Sequence, residues 1–332
     1  MDEKTARQQV VEAGRRLLEE GLVARTWGNV SCRIDEKRYA ITPSGIGYQM
    51  LEEEDIVVVD MESGEWEGIH KPSGEKGVHS AGYRMHPDAE FIVHTHQTYA
   101  SAYSIAGFEN LKMSREESEK LGGVALAAYG LPGMKKLTEA VTEAYAEAGT
   151  VLMAHHGVVI VGASGEEAFE KAKLLEDICK RNIRSNIHTG PELSAPYTEA
   201  FMALIHKQYP LARLVQTPHI NACANKGSRI VAQVDDMAQM IGRDIPVMDK
   251  NSATVLKALQ RKKAVMIRKM GIIVCAEDEE DVEALEILVK KAAICKIHAS
   301  QCGEKGRLSV VDTALMHLVY EMKYSKQKGK ER

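Results

Sequence analysis

Apolar and polar positions along this chain follow two periods. Residues 5–22 carry Val10, Val11, Leu17, Leu18 and Leu22 at helical spacing and predict an opening amphipathic helix. Short strand-like runs follow over 30–34, 39–43 and 56–60, and turns rich in Gly, Pro or Ser punctuate them, among them Gly28-Asn29, Ser44-Gly45 and Glu62-Ser-Gly-Glu. Next come a helix near 75–86, a strand over 91–96, a helix from about Ala100 and a helix over 137–148. An apolar strand over 151–161 is interrupted by His155-His156-Gly157, and a long helix covers 165–187. Short strands interleaved with helices predict a layered α/β domain.

After a break at Gly190-Pro191 part of this pattern returns in weaker form. Residues 263–275 match 149–161, and each run leads into an acidic helix start, Gly165-Glu-Glu or Asp278-Glu-Glu. Upstream, 213–218 match 91–96, and 245–251 stand opposite 126–133. Under this alignment His94, His96 and His156 become Gln216, Pro218 and Met270, so the second copy keeps the apolar scaffold and loses the imidazoles. The expected domains are therefore 1–190, a degenerate half-domain over 191–320, and a charged, frayed tail over 321–332.

Composition narrows the choice of partners. With 332 residues, 44% hydrophobic and 27% charged, the chain has the make-up of a soluble globular protein large enough for two cores. A net charge of −4 gives no reason to expect nucleic acid, and no apolar run approaches the length of a membrane span. The polar N-terminus enters a helix directly, so no secretory signal and a cytoplasmic location are expected. Six cysteines without a Cys-x-x-Cys pair argue against a disulfide framework or a thiolate zinc site. Neither a Walker loop nor a G-x-G-x-x-G element occurs, which argues against nucleotides.

The chemistry concentrates at histidine. In a strand, side chains two apart share a face, so His94 and His96 present two imidazoles side by side in an otherwise apolar run. Burying both without a partner would be costly, and a shared metal ion removes that cost. A third imidazole from His155-His156 would complete a facial set with an open position; the two diverge, so only one of them can join. Glu75, at a helix start, reads either as a charge favoured by the helix dipole or as a general base or displaceable ligand. The turns Gly28-Asn29, Ser44-Gly45 and Ser73-Gly74 offer backbone N–H and hydroxyl donors that could cradle a phosphate or carboxylate.

The ordered series Gly28-Asn29-Val-Ser, Ile41-Thr-Pro-Ser44-Gly45, Lys71-Pro-Ser73-Gly74-Glu75-x-x-x-His79, Val93-His94-Thr-His96 and His155-His156-Gly157 resembles the class II aldolase/adducin family over roughly residues 5–190. That resemblance implies a three-layer α/β/α domain around a mainly antiparallel sheet, here followed by a smaller partial repeat. It implies a divalent ion, zinc above others, held by His94, His96 and His156, with Glu75 as the acid/base group. It places Asn29, Ser44, Gly45, Ser73 and Gly74 at the substrate phosphate, although aldolase members carry a second serine where this chain has Gly74. Aldolase members also place a catalytic tyrosine, and epimerase members an aspartate, near residues 110–117; this chain has neither there, so the proton donor for an aldehyde oxygen is unassigned. Tyr129 reads as structural.

The function expected from this resemblance is a metal-dependent lyase that cleaves or forms a C–C bond in a small phosphorylated sugar or hydroxy-ketone through a metal-stabilised enediolate. The resemblance also implies a homo-oligomer with active sites between subunits. An epimerase or dehydratase on the same site, or a non-catalytic adducin-like interaction protein, are the alternatives.

Overall fold

In a computed structural model, which describes residues 1–183, 195–303 and 306–328, the chain divides into two units, Met1–Asn182 and Ile183–Arg332. The expected break at Gly190-Pro191 and the end of the helix expected over 165–187 lie outside the described residues.

The first unit opens with α1 (Glu3–Glu19), whose N-terminus is capped by Asp2 accepting from the Thr5 N–H. A meander follows: β1 (Asn29–Arg33), β2 (Arg38–Ile41), β3 (Val57–Asp60) and β4 (Trp66–Glu67). Then come α2 (Lys76–Met85), β5 (Phe91–Thr95), α3 (Thr98–Ile105), α4 (Arg115–Leu121), β6 (Val124–Ala127), α5 (Lys135–Tyr145), β7 (Thr150–Met153), β8 (Val158–Gly162) and α6 (Gly165–Asn182). The eight strands form one sheet in the order β4-β3-β2-β1-β5-β8-β7-β6.

This sheet is mixed, where a mainly antiparallel one was expected. The difference lies at its edge: β6 and β7 are joined through α5, and a helical crossover returns the chain in the same direction. The apolar run expected as one interrupted strand is a hairpin of β7 and β8. His155 takes the left-handed backbone conformation in its turn, with φ of 63°.

Strand β5 is buried along its whole length, which is why its sequence is continuously apolar apart from its functional positions. Its alternate residues face different layers. Ile92 packs in a cluster with Val78, Ala81 and Tyr83 of α2 and Leu137, Val141 and Tyr145 of α5. His94 has the same parity as Ile92 and so faces the α2 side. The register sets Asn29 of β1 directly opposite His94, and Val159 of β8 on its other flank.

Two glycines let backbone close around this strand. A Cβ on Gly28 (φ 83°) would stand 2.5 Å from the His94 carbonyl oxygen, and one on Gly157 would stand 2.3 Å from the Thr95 carbonyl oxygen. No side chain other than hydrogen fits either place.

The second unit comprises α7 (Ala195–His206), β9 (Arg213–Val215), α8 (Pro218–Lys226), β10 (Ile230–Val231), α9 (Asp235–Met240), β11 (Asp244–Ile245) and β12 (Val247–Met248). It continues with α10 (Ser252–Leu259), β13 (Ala264–Ile267), β14 (Gly271–Val274), α11 (Glu279–Gln301) and α12 (Val310–Lys328). Helix α12 runs to Lys328, into the charged tail expected over 321–332. Its larger sheet runs β12-β13-β14-β9, with the first pair parallel and the others antiparallel. All six cysteines are free thiols, five of them buried. Among the described residues no helix is long and apolar enough to cross a membrane.

Gly157→Ala is expected to lower the stability of the first unit by about 2–3 kcal/mol, because backbone must move to admit the methyl group. Gly165→Ala is the control: its Cβ would make ordinary contact at 3.6 Å with the Phe91 ring. It should leave stability unchanged or raise it by up to about 1 kcal/mol. Urea denaturation of the two variants separates the cases, and equal midpoints would contradict the close-approach argument.

Candidate metal centre and active site

Three elements carry the histidines to one point. His94 comes from the end of β5, and His96 from just beyond it, since the strand stops at Thr95 rather than running through 96. The His96 N–H is held by the Leu22 carbonyl at 3.0 Å. His156 arrives from the β7–β8 turn. His94 Nε2 lies 3.0 Å from His96 Nε2 and 3.1 Å from His156 Nε2. All three side chains are buried, at most 6% exposed. The neighbouring His155 turns away and meets the edge of the Tyr129 ring at 5.6 Å, so the choice between the two histidines falls on His156, and Tyr129 sits beside the one left out.

Glu75 stands at the N-cap position of α2 but does not cap it; its carboxylate turns inward instead. Oε1 is 2.8 Å from His156 Nε2, and Oε2 is 3.2 Å from His94 Nε2. Burial alone would push this carboxyl up. The His94 and His156 imidazoles beside it outweigh burial and, with the Asn29 amide donating to Oε2 at 2.9 Å, hold it well below the usual carboxylate range. Burial pushes the His94 imidazole well below its ordinary value, the Glu75 charge offsetting part of that.

The tautomer of His94 follows from its outer partner. Val158 O, 2.9 Å from Nδ1, can only accept, so Nδ1 carries the proton and the Nε2 lone pair faces the cluster. Lone pairs meeting at such separations call for a cation between them. Three nitrogens bonded at zinc-like lengths to a tetrahedral centre would stand about 3.3 Å apart, close to the spacings here. Among the described residues, His94, His96 and His156 form the group able to hold a metal ion. The donor set therefore fits a divalent ion.

The expected phosphate residues fall into two places. An antiparallel bridge between Pro43 and Pro72 joins the 42–45 and 71–74 loops, with Ser44 N–H donating to the Lys71 carbonyl and Ser73 N–H to the Thr42 carbonyl. This sets Ser44, Gly45, Ser73 and Gly74 on paired loops leading into Glu75; Ser44, Gly45 and Gly74 are exposed. Gly74 is not needed for backbone reasons, since a Cβ there would meet nothing nearer than Gly133 Cα at 4.0 Å. Asn29 is different. It is 3% exposed, and its amide already engages Glu75 and His79, leaving the second amide hydrogen for a ligand.

His79, which the sequence shows only as the end of a motif, is thus part of the site through Asn29. A histidine on the apolar face of an amphipathic helix was the available signal, and alone it reads as packing.

The comparisons with known proteins point to one family. A family model described as "Class II Aldolase and Adducin N-terminal domain" matches residues 8–183. A relative named 5-deoxy-D-ribulose 1-phosphate aldolase, from Bacillus thuringiensis serovar kurstaki, is 32% identical over 51% of this chain and 80% of its own length. One named 3-oxo-tetronate 4-phosphate decarboxylase, from Haemophilus influenzae, is 31% identical over 54% of this chain and 88% of its own. A solved structure of an L-fuculose 1-phosphate aldolase is similar with a TM-score of 0.50 and 30% identity, covering 61% of this chain and 96% of that one.

Burial depresses the His79 imidazole to about 4 from an ordinary 6.5, the Glu75 charge offsetting only part of that. The unfolded chain therefore takes up this proton first. Stability from the neutral ring is intact above pH about 6.5 and is lost as pH falls toward about 4, by on the order of 3 kcal/mol. Urea midpoints should fall across that window, and less steeply in His79→Gln; parallel curves for the two proteins would contradict the assignment.

Proposed function

We propose that this chain, which belongs to the class II aldolase and adducin N-terminal domain family, is a metal-dependent lyase that cleaves or forms a C–C bond in a small phosphorylated sugar or hydroxy-ketone. The observation that carries this reading is the meeting of three buried imidazoles with one carboxylate turned in from the edge of the core. A non-catalytic interaction module has no use for such a cluster, whose burial is costly unless its members are paired. His94, His96 and His156 would hold the ion, zinc in this proposal. When bound it supplies Lewis-acid polarisation of a carbonyl and stabilises the negative charge left by bond cleavage.

The chain's own residues do the remainder. Glu75, kept ionised and shielded from water, is placed to take a proton from carbon in the condensation direction and return it there in cleavage. In this proposal the paired loops bearing Ser44, Gly45, Ser73 and Gly74 bind a phosphate through the two serine hydroxyls and the Gly74 N–H, and Asn29 would give its second amide hydrogen to the substrate. The relative named as a decarboxylase favours a second reaction on this site, because loss of CO2 from a 3-oxo acid leaves the same kind of carbanion as retro-aldol cleavage. A homo-oligomer remains part of the proposal, and light scattering measures it.

The second unit is, in this proposal, a degenerate copy of the metal-bearing half. Its strand order and directions, β12-β13-β14-β9, repeat those of β6-β7-β8-β5. Ala264 pairs with Val274 as Thr150 pairs with Ile160, which is the register of the sequence alignment. Lys269 (φ 58°) takes the hairpin position of His155 (φ 63°), and each donates its N–H to a carbonyl near the end of a helix, Ala224 or Ser104. Strand β9 departs from the alignment by a two-residue shift against β14, which preserves its faces.

Metal analysis should find one ion per chain and none in His94→Ala; two ions would overturn the reading of the second unit. Glu75→Gln should keep the ion and lose at least about 100-fold in turnover. The assay is a panel of ketose 1-phosphates read by aldehyde release, and of phosphorylated 3-oxo acids read by CO2 release. A fully active Glu75→Gln enzyme would remove its assigned role. Gly74→Ser, for which there is room, should lower KM for phosphorylated substrates about fivefold, the worth of one added hydrogen bond. An unchanged KM would take phosphate away from this loop.

A further inference from the structure

A line of hydrogen bonds leads from Glu75 into the first unit and ends on side chains that the roles above leave unused. Strand β1 sends Asn29 and Ser31 toward α2, two residues apart and so about 6.6 Å along the strand. The facing side of α2 and its N-cap carry Glu75, His79 and Tyr83, four residues apart and so about 6.0 Å per step. Because the two repeats nearly match, the polar groups of strand and helix interleave. Asn29 Nδ2 is 2.9 Å from Glu75 Oε2, and Asn29 Oδ1 is 2.5 Å from His79 Nε2. Ser31 Oγ lies 2.6 Å from His79 Nδ1 and 2.8 Å from the Tyr83 hydroxyl.

The direction of every link follows from the first. A carboxylate only accepts, so Asn29 presents its NH2 group to Glu75 and its carbonyl oxygen to His79. His79 must then carry its proton on Nε2, and its Nδ1 accepts from the Ser31 hydroxyl. Ser31 has given its one proton and accepts from Tyr83. The Tyr39 ring lies nearly parallel to the imidazole, at 16° and 6.5 Å, and its own hydroxyl is fixed by the Lys76 carbonyl. Asn29, Ser31, His79 and Tyr83 are each at most 3% exposed, so water does not take over any link.

The two ends of an amide have nearly the same shape, and only their partners decide which way it faces. We propose that His79 is a positioning residue that holds Asn29 with its NH2 toward Glu75, and so keeps the carboxylate aimed at the reacting carbon. Without the His79 donor, the buried Asn29 Oδ1 loses its partner, and the amide is no longer held from both ends. This inference rests on the reading of Glu75 as the acid/base group.

The test compares His79→Leu, His79→Gln, Asn29→Ala and the His79→Leu/Asn29→Ala double variant in the full-length, zinc-loaded protein. His79→Leu should lower kcat at least about tenfold, with KM within about twofold and the metal content unchanged. The double variant should lose no more than the worse single one. His79→Gln, whose amide can still donate to Asn29, should recover most of the loss. Equal kcat in the Leu and Gln variants, or additive losses in the double variant, would overturn the proposal. Nitrogen-15 NMR of the unsubstituted protein needs no substrate. It should show His79 protonated at Nε2 and bare at Nδ1, and the opposite tautomer would overturn the proposal. If the unsubstituted protein turns over no substrate of the panel, the lyase reading fails while the tautomer still decides the orientation of Asn29.

Discussion

The constraint on which the first unit depends is the burial of three imidazoles and a carboxylate at one point of an apolar sheet. Each of these groups would be costly there alone. Together they form a donor set that one cation would satisfy, provided that strand, turn and helix deliver them within about an ångström of the right place. Much of the surrounding chain serves that delivery. Gly28 and Gly157 let backbone pass at closer than Cβ distance on either side of His94 and Thr95. The Val158 carbonyl fixes the His94 tautomer. The α2 helix begins where its N-cap side chain can turn inward rather than bond its own first turn. That last choice gives up a cap worth about 1 kcal/mol in exchange for placing a carboxylate.

What could be read from the sequence follows from what is local. Strand β5 was legible because it is central and covered on both faces, so its pattern is continuous and two histidines in it stand out. The pairing of His94 with His96 survives even though the strand stops at Thr95, because the Leu22 carbonyl holds the His96 N–H one residue further on. The division between His155 and His156 was also legible, since neighbours diverge, but not its outcome. A positive φ at residue 155 decides that, and histidine is not a residue whose presence announces one. The parallel edge pair escaped because nothing in β6 or β7 alone records direction. The α5 crossover between them does, and its reading needs the sheet order.

His79 shows a deeper limit. Its role exists only in the register between a strand with a two-residue repeat and a helix face with a four-residue repeat. No single window of sequence contains both. Seen along α2 it is one polar residue among Val78, Ala81 and Tyr83, and packing is the sensible reading. Only once Ser31 and Asn29 are known to face it does the series Glu75, His79, Tyr83 become one line of oriented hydrogen bonds. Such polar contacts across elements also tie the site to the stability of the domain, because the neutral ring that orients Asn29 resists protonation.

The second unit shows what the scaffold does without this constraint. Under the proposed duplication, Met270 stands where His156 does and is 2% exposed, an apolar side chain filling a core. Gln216, aligned with His94 in sequence but carried by the two-residue shift of β9 to the place of His96, turns its amide to donate to the Met270 carbonyl at 2.7 Å. A link between strand and hairpin turn thus persists, rebuilt from a side-chain amide and a backbone carbonyl. Gly271 still admits close backbone, since its Cβ would stand 2.8 Å from the Val215 carbonyl oxygen, as Gly157 does in the first unit. The glycine and the positive-φ hairpin are therefore properties of the packing, while the imidazoles are an addition that the packing tolerates. Under the proposed duplication, the site residues changed identity while the turn glycine was kept.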